Sequence, residues 1–227
     1  MAVDKSAAAT FRLLWETKEN ARSTLSVDSI VETAIALADA EGLGAVSMQR
    51  VAGELGYTAM ALYRHVPGKN QLVALMVDRA QGNPPAESGQ GWRTEIRNWA
   101  DAAWDFYLAH PWTLRVATHG APTGPNELAW FEALLRPLAQ SGLAAEHLTA
   151  TAMFVSSSVR DLARIATEIV PSGSDYGDLL AEVVQAERFP TLSSLTSAAA
   201  LEDDGDVRPA LDFGLDLIID GLAARTS

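Results

Sequence analysis

Between Ser47 and Val66 the chain has room for only two short helices, and a glycine sits where they meet. Ser47 is a good N-cap for the first, which stops near Gly56; Thr58 caps the second, which runs to about Val66 before Pro67-Gly68 interrupts it. Val51, Leu55, Tyr57 and Leu62 can share one small core if these helices cross at a tight turn, and Ala52 is small where the second must pass closely. Gly56 can take the positive φ that ends one helix and turns the chain sharply. Such a pair is either an αα-hairpin that merely packs or a helix-turn-helix, whose second helix enters the major groove of DNA by its N-terminal end.

The remainder is helical by the same criteria, with no credible strand ladder. Ser26 caps a helix with Asp28 in its first turn and an apolar face of Ile30, Ile35, Leu37 and Ala38, ending at Gly42. Another begins near Lys69 and carries Leu72, Leu75 and Met76. Residues 81–91 (QGNPPAESGQG) hold two prolines and three glycines and form a linker or loop. Amphipathic helices follow at about 92–110, 124–140, 144–170, 177–188 and 206–224. The expected fold is all-α: a flexible basic arm over 1–24 with at most a turn of helix around Phe11–Trp15, a three-helix helix-turn-helix DNA-binding domain over 25–80, the linker, and a helical ligand-binding and dimerisation bundle over 92–227.

The residues after Gly56 favour DNA. On a helix starting at Thr58, the side chains of Thr58, Ala59, Met60, Tyr63 and Arg64 can face outward while Leu62 and Val66 face in. Lys69 then opens the next helix, where free backbone N–H groups also favour a phosphate. The run from Leu55-Gly56 through Leu62-Tyr63-Arg64-His65-Val66 to Lys69, within Ser26–Ala80, resembles the DNA-binding domain of the tetracycline-repressor-like (TetR) family. The resemblance implies phosphate contacts for Tyr63 and Lys69, and a backbone contact or a packing role for His65. It puts Thr58, Ala59, Met60 and Arg64 at the base-reading end of the recognition helix, and gives Ser47 the N-cap hydroxyl of the preceding one. Many members carry Arg where this chain has Gln49, and Gln can pair with adenine where Arg prefers guanine, so the operator sequence does not carry over from relatives. Ala59 and Met60 suit contact with thymine methyl groups.

A net charge of −12 looks wrong for a DNA binder, but its distribution resolves the conflict. Residues 1–80 carry 8 basic and 9 acidic side chains, and residues 81–227 carry 9 and 20, so a near-neutral head sits on an acidic body. With no cysteine in the chain, disulfides and thiolate metal sites are excluded. No stretch is long and apolar enough to span a membrane and no secretory h-region is present, so a cytoplasmic protein without a membrane partner is expected.

Residues 92–154 of the body hold nine of the sixteen aromatics, more than a small bundle needs. Core packing is the default for each, yet as a group they can line a pocket for a flat apolar or amphipathic ligand. Trp104, Tyr107, Trp112, His119, Trp130, Phe131, Met153, Phe154 and Ser157 are the expected lining, with His110, Asn126, Ser156 and Arg160 as further polar candidates. Around His110-Pro111-Trp112 and Gly120 to Leu128 the body resembles the tetracycline-repressor C-terminal domain. His119 misses the metal-ligating position of the antibiotic-binding members, so neither a metal nor another cofactor is expected. Val155, Val159 and Leu162, and near the C-terminus Leu211, Leu215, Ile218 and Leu222, repeat at three and four. They are either core or, as the resemblance implies, the seam of a homodimer on a pseudo-palindromic double-stranded operator.

No enzyme is expected. None of the histidines at 65, 110, 119 and 147 lies in HExxH or follows a Glu by three residues, and nucleophile elbows, dinucleotide fingerprints and P-loops are missing. The expected function is a transcriptional repressor released from its operator by a small molecule. An activator, a ligand-independent DNA binder and a helix-docking interaction module are the rivals.

Overall fold

The computed structural model describes residues 5–15, 25–116, 124–169, 183–197 and 206–226. Among these the chain is helical throughout: α1 (Lys5–Trp15), α2 (Val27–Glu41), α3 (Met48–Glu54), α4 (Ala59–Tyr63), α5 (Lys69–Gln81), α6 (Trp92–Ala109), α7 (Pro125–Gln140), α8 (Ala145–Arg164), α9 (Pro190–Ser197) and α10 (Arg208–Thr226). No described helix is long and apolar enough to cross a membrane.

The head forms because each short helix is capped and then buried. Ser26 and Ser29 cap α2 reciprocally, the Ser26 hydroxyl accepting from Ser29 N–H at 3.1 Å and the Ser29 hydroxyl from Ser26 N–H at 3.0 Å. The Ser47 hydroxyl accepts from Arg50 N–H at the start of α3. Ile30 and Val31 of α2, Val51 of α3, Leu62, Val66 and the α5 residues Leu72 and Met76 make one buried cluster. Gly56 takes φ +75° between α3 and α4, and Tyr57 N–H reaches back to the Ala52 carbonyl at 2.8 Å, closing the turn.

In the body, Ile96 and Trp99 of α6, Leu134 and Leu138 of α7, Val155 and Val159 of α8, and Leu215 and Ile219 of α10 form a second cluster. The segment 82–91 arches from α5 to α6 and is pinned at both flanks. Glu95 accepts from the Ser88 hydroxyl and from the Ser88 and Gly89 N–H groups, and Arg136 pairs with Glu87.

Several expectations change. The arm carries an eleven-residue helix, α1, rather than a short turn: Leu13 and Leu14 pack on the head core and Gln71 of α5 donates to Thr10. Recognition helix α4 spans only Ala59–Tyr63, and Thr58 stands at its N-cap without a side-chain bond. Tyr57, expected in the head core, is 38% exposed, because the reversal at Gly56 swings it out of the crossing. The helix expected over 144–170 changes to a π-turn at Ile165–Ile169. Where a helix was expected over 177–188, residues 170–182 lie outside the described residues and the rest ends in a turn, with Arg188 and Phe189 N–H groups on the Gln185 carbonyl. The unforeseen α9 follows, started by Pro190 at its first position.

Candidate DNA-binding surface and ligand-binding interior

On α4, Leu62 is fully buried, and this single anchor sets the helix's rotation. Thr58, Met60, Tyr63 and Arg64 then face solvent, Met60 being 68% exposed, with Ala59 and His65 half-buried beside them. Gln49 is exposed on neighbouring α3, and Ser47 is exposed with its oxygen engaged as a cap. Lys69 is exposed at the start of α5, whose N-cap Gly68 offers no side chain, leaving first-turn N–H groups to the same surface. Of the local cations, Arg50 is bound to Glu41 at 2.9 Å and to Glu54 at 3.0 Å. Arg64 and Lys69 make no ion pair among the described residues. The surface is therefore small, cationic at its edge, and apolar at its centre. It has the features of a groove-reading patch flanked by phosphate contacts.

The expected ligand set divides. Trp104 is buried with the Arg208 guanidinium 5.7 Å from its ring centre, and Phe131 is half-buried against the same body cluster. Burial pushes the Tyr107 phenol above its ordinary range, while Arg160 on α8 acts the other way. Trp104 and Tyr107 lie on α6 and Phe131 on α7. Trp112, by contrast, belongs to the head: it is buried in the head cluster and its Nε1 donates to Asp39 of α2 at 2.7 Å, beside His110 Nδ1 at the same distance from the same oxygen. The Pro111–Arg115 turn folds back onto α2 and carries it there. Trp130 is committed to the joint between head and body. Its Nε1 donates to the Gln81 and Gly82 carbonyls at 3.2 and 3.0 Å, its own carbonyl accepts from Trp99 Nε1 at 2.8 Å, and the two rings meet edge-on. Met153, Phe154 and Ser157 lie on the exposed face of α8, since Ala152, Val155 and Val159 take the inward positions. His119 lies outside the described residues. A cleft of about 510 Å³ opens under residues 82–91, over Trp99 and Pro137.

The residues expected at a dimer seam are placed as follows. Val155, Val159, Leu211, Leu215 and Leu222 are buried inside this one chain, with Leu162 and Ile218 half-buried against them. The apolar side chains that α8 and α10 leave outside are Met153, Phe154, Phe213 and Leu217.

Missing from the expectation was a carboxylate at the joint. Asp78 of α5 is buried, and its Oδ1 accepts from the N–H groups of Asn126 and Glu127 at 2.9 and 3.1 Å. Burial raises its pKa while these hydrogen bonds hold it down. An acidic residue at an otherwise apolar heptad position of α5 was the available signal.

Residues 83–226 match the family described as "Tetracyclin repressor-like, C-terminal domain". Residues 30–76 match "Bacterial regulatory proteins, tetR family". The chain is 34% identical to the HTH-type transcriptional repressor DrrR1 of Streptomyces coeruleorubidus, over 95% of this chain and 85% of the relative. It is 30% identical to an HTH-type transcriptional regulator of Saccharopolyspora erythraea, over 92% and 89%. Among solved structures it is similar to apo ActR from Streptomyces coelicolor, with a TM-score of 0.76 at 30% identity, over 90% of this chain and 97% of that one. ActR in complex with actinorhodin gives 0.76 at 28% identity, over 89% and 99%.

Proposed function

The chain belongs to the tetracycline-repressor family of bacterial regulatory proteins, and from that membership we propose a homodimeric repressor that leaves a pseudo-palindromic operator when a small amphipathic molecule enters its body. The observation that carries the DNA half of this reading is the rotation of α4: Leu62 anchors it, and Thr58, Met60, Tyr63 and Arg64 are presented together beside Lys69. Gln49, Thr58, Ala59, Met60 and Arg64 read base edges; Ser47, Tyr63, His65 and Lys69 hold phosphates or the residues that do.

The ligand half rests on Trp104, Tyr107 and Phe131, with Arg160 and Glu127 within electrostatic reach of the Tyr107 hydroxyl. An apolar wall with a phenol and a cation suits a flat molecule carrying a hydroxyl or acidic group. ActR, which has been solved with (S)-DNPA and with actinorhodin, supports a small-molecule effector. The dimer half rests on Met153, Phe154, Phe213 and Leu217, large apolar side chains facing outward from two helices packed on each other.

The mechanism is a shift of populations. In one state the dimer spaces its recognition helices for successive major grooves, about 34 Å apart. A ligand that prefers a differently spaced state lowers operator affinity by the ratio of its two affinities, and a coupling of about 3 kcal/mol corresponds to about 150-fold. The test is selection of genomic fragments by the purified protein at physiological salt, followed by footprinting. A protected pseudo-palindrome is expected; salt-sensitive binding without a preferred sequence would remove the operator-specific reading.

A further inference from the structure

Helix α7 caps only half of its own start: Glu127 accepts the Gly124 N–H at 3.0 Å, and nothing in the helix takes the N–H groups that follow. Its N-cap residue is Gly124, which has no side chain to offer the first-turn N–H groups. The missing acceptor arrives from the head: the Asp78 carboxylate, on α5, takes the N–H groups of Asn126 and Glu127 through Oδ1. The Asn126 side-chain amide binds back to Asp78 Oδ2 at 3.2 Å and to its backbone carbonyl at 2.8 Å. Gly124 has an ordinary φ of −83°, so no conformational demand explains the glycine. Space does. A Cβ built there collides with the Asp78 carboxylate. One turn further along α7, Trp130 holds the carbonyls of Gln81 and Gly82, at the other end of the last turn of α5. Helix α5 is thus gripped by α7 at two separate places, which fixes both its direction and its rotation against the body.

The far end of α5 carries Lys69 and the packing surface for α4. Nine residues separate Lys69 from Asp78, about 13 Å of helix at 1.5 Å per residue. Tilting α5 by about 10° around Asp78 therefore moves Lys69 by about 2 Å. In a two-fold dimer the recognition helices then change separation by up to about 5 Å, which exceeds the roughly 3.4 Å that separates successive base pairs in a helical turn of 34–36 Å and 10–10.5 base pairs. We propose that Asp78, by capping α7 from the head, sets which half-site spacing the dimer accepts. It is a specificity-determining positioning residue that never touches DNA. This rests on the dimeric operator reading above.

The test uses the full-length protein and the pseudo-palindrome it selects, with the centre lengthened or shortened by one and two base pairs. Affinities are read by fluorescence anisotropy at fixed salt. The wild-type chain is expected to lose at least tenfold on a one-base-pair change. Asp78→Ala is expected to bind the altered spacings within about threefold of the selected one while keeping the wild-type salt dependence. Asp78→Asn, which retains an oxygen for the two N–H groups, is expected to restore most of the discrimination. Trp130→Phe keeps an aromatic ring at the site but loses the indole N–H and with it the second grip, and relaxes spacing in the same direction. It serves as the deciding variant if Asp78→Ala does not fold. Variants that discriminate spacing as sharply as the wild type would overturn the proposal and leave the operator reading intact. A wild-type protein indifferent to spacing would overturn the operator reading and the proposal together.

Discussion

Replacing Gly124 with Ala tests the joint between head and body through stability alone. The backbone of Gly124 lies in the extended region at φ −83° and ψ 157°, which Ala adopts freely. By itself the change therefore stabilises by about 0.4–1 kcal/mol, through the unfolded chain. Against that, the new methyl occupies the place of the Asp78 carboxylate. Overpacking of this kind costs about 1–3 kcal/mol. Pushing the carboxylate aside also leaves the N–H groups of Asn126 and Glu127 short of their acceptor, about 1–3 kcal/mol more. The net expectation is a loss of about 1–6 kcal/mol, and for a chain of this size a fall in Tm of about 2–22 °C. Calorimetry or circular-dichroism melts at one fixed protein concentration measure it, since any self-association makes Tm concentration-dependent. Gly53→Ala, on α3 with nothing within 4 Å of its new methyl, is the control and should be neutral or stabilising by up to about 1 kcal/mol. The decisive arm is the double variant. With Asp78→Ala already present the collision partner is gone, so adding Gly124→Ala should cost almost nothing. Additive losses in the double variant, or a neutral Gly124→Ala, would refute the assignment of the glycine to Asp78.

Three further outcomes are expected. Lys69→Ala should weaken operator binding for all sequences alike and reduce the slope of log affinity against log salt by about 0.9, measured by anisotropy titrations from low to physiological salt; an unchanged slope removes Lys69 from the phosphate contacts. Phe154→Glu or Leu217→Glu should shift the protein to monomer in sedimentation and abolish tight operator binding, whereas Leu13→Ala on α1 should leave the association state alone. Because burial raises the Asp78 pKa, the folded chain binds its proton more tightly than the unfolded one. The stability this group contributes is therefore greatest below its ordinary value of 3.8 and falls as pH rises through the elevated folded value. Urea titrations between pH 3.5 and 7 should show the wild type losing ground to Asp78→Asn over that window, and the opposite slope would refute the burial argument.

The head was legible because its constraints are local. A capping serine, a glycine that must take positive φ and a leucine four residues past the next cap leave one way to cross two short helices, and Leu62 lies where that logic puts it. Tyr57 escaped because the same reversal that buries Leu62 turns its neighbour outward, which composition at a turn does not reveal. In the body the three-and-four repeat of Val155, Val159, Leu211 and Leu215 specified that those faces are covered but not by what. Helices packed within a chain and across a two-fold axis use the same period, and here α6 and α7 pack on α8 while α8 packs on α10. Trp112 and Trp130 were read as ligand walls because aromatic residues near one another in sequence suggest a shared pocket. Their indole N–H groups instead found partners on α2 and at the end of α5, contacts between residues more than forty positions apart. Asp78 was unreadable for the same reason, since its meaning depends on a bare glycine in a different helix.

Trp112 has a consequence for anyone who wishes to recombine this protein. Its ring completes the head's interior from a position well beyond the stretch that encodes the helix-turn-helix, and its N–H satisfies Asp39 inside that head. Cutting after Gln81 would therefore leave a void the size of an indole and a carboxylate without its donors. Grafting this head onto the sensing half of another regulator would do the same, unless the recipient brings a tryptophan and a folded-back turn to the same place. The two halves are tied by one packed contact: whatever sits at Asp39 or along α2 meets the Pro111–Arg115 turn, so the half that reads and the half that senses share a pair of residues.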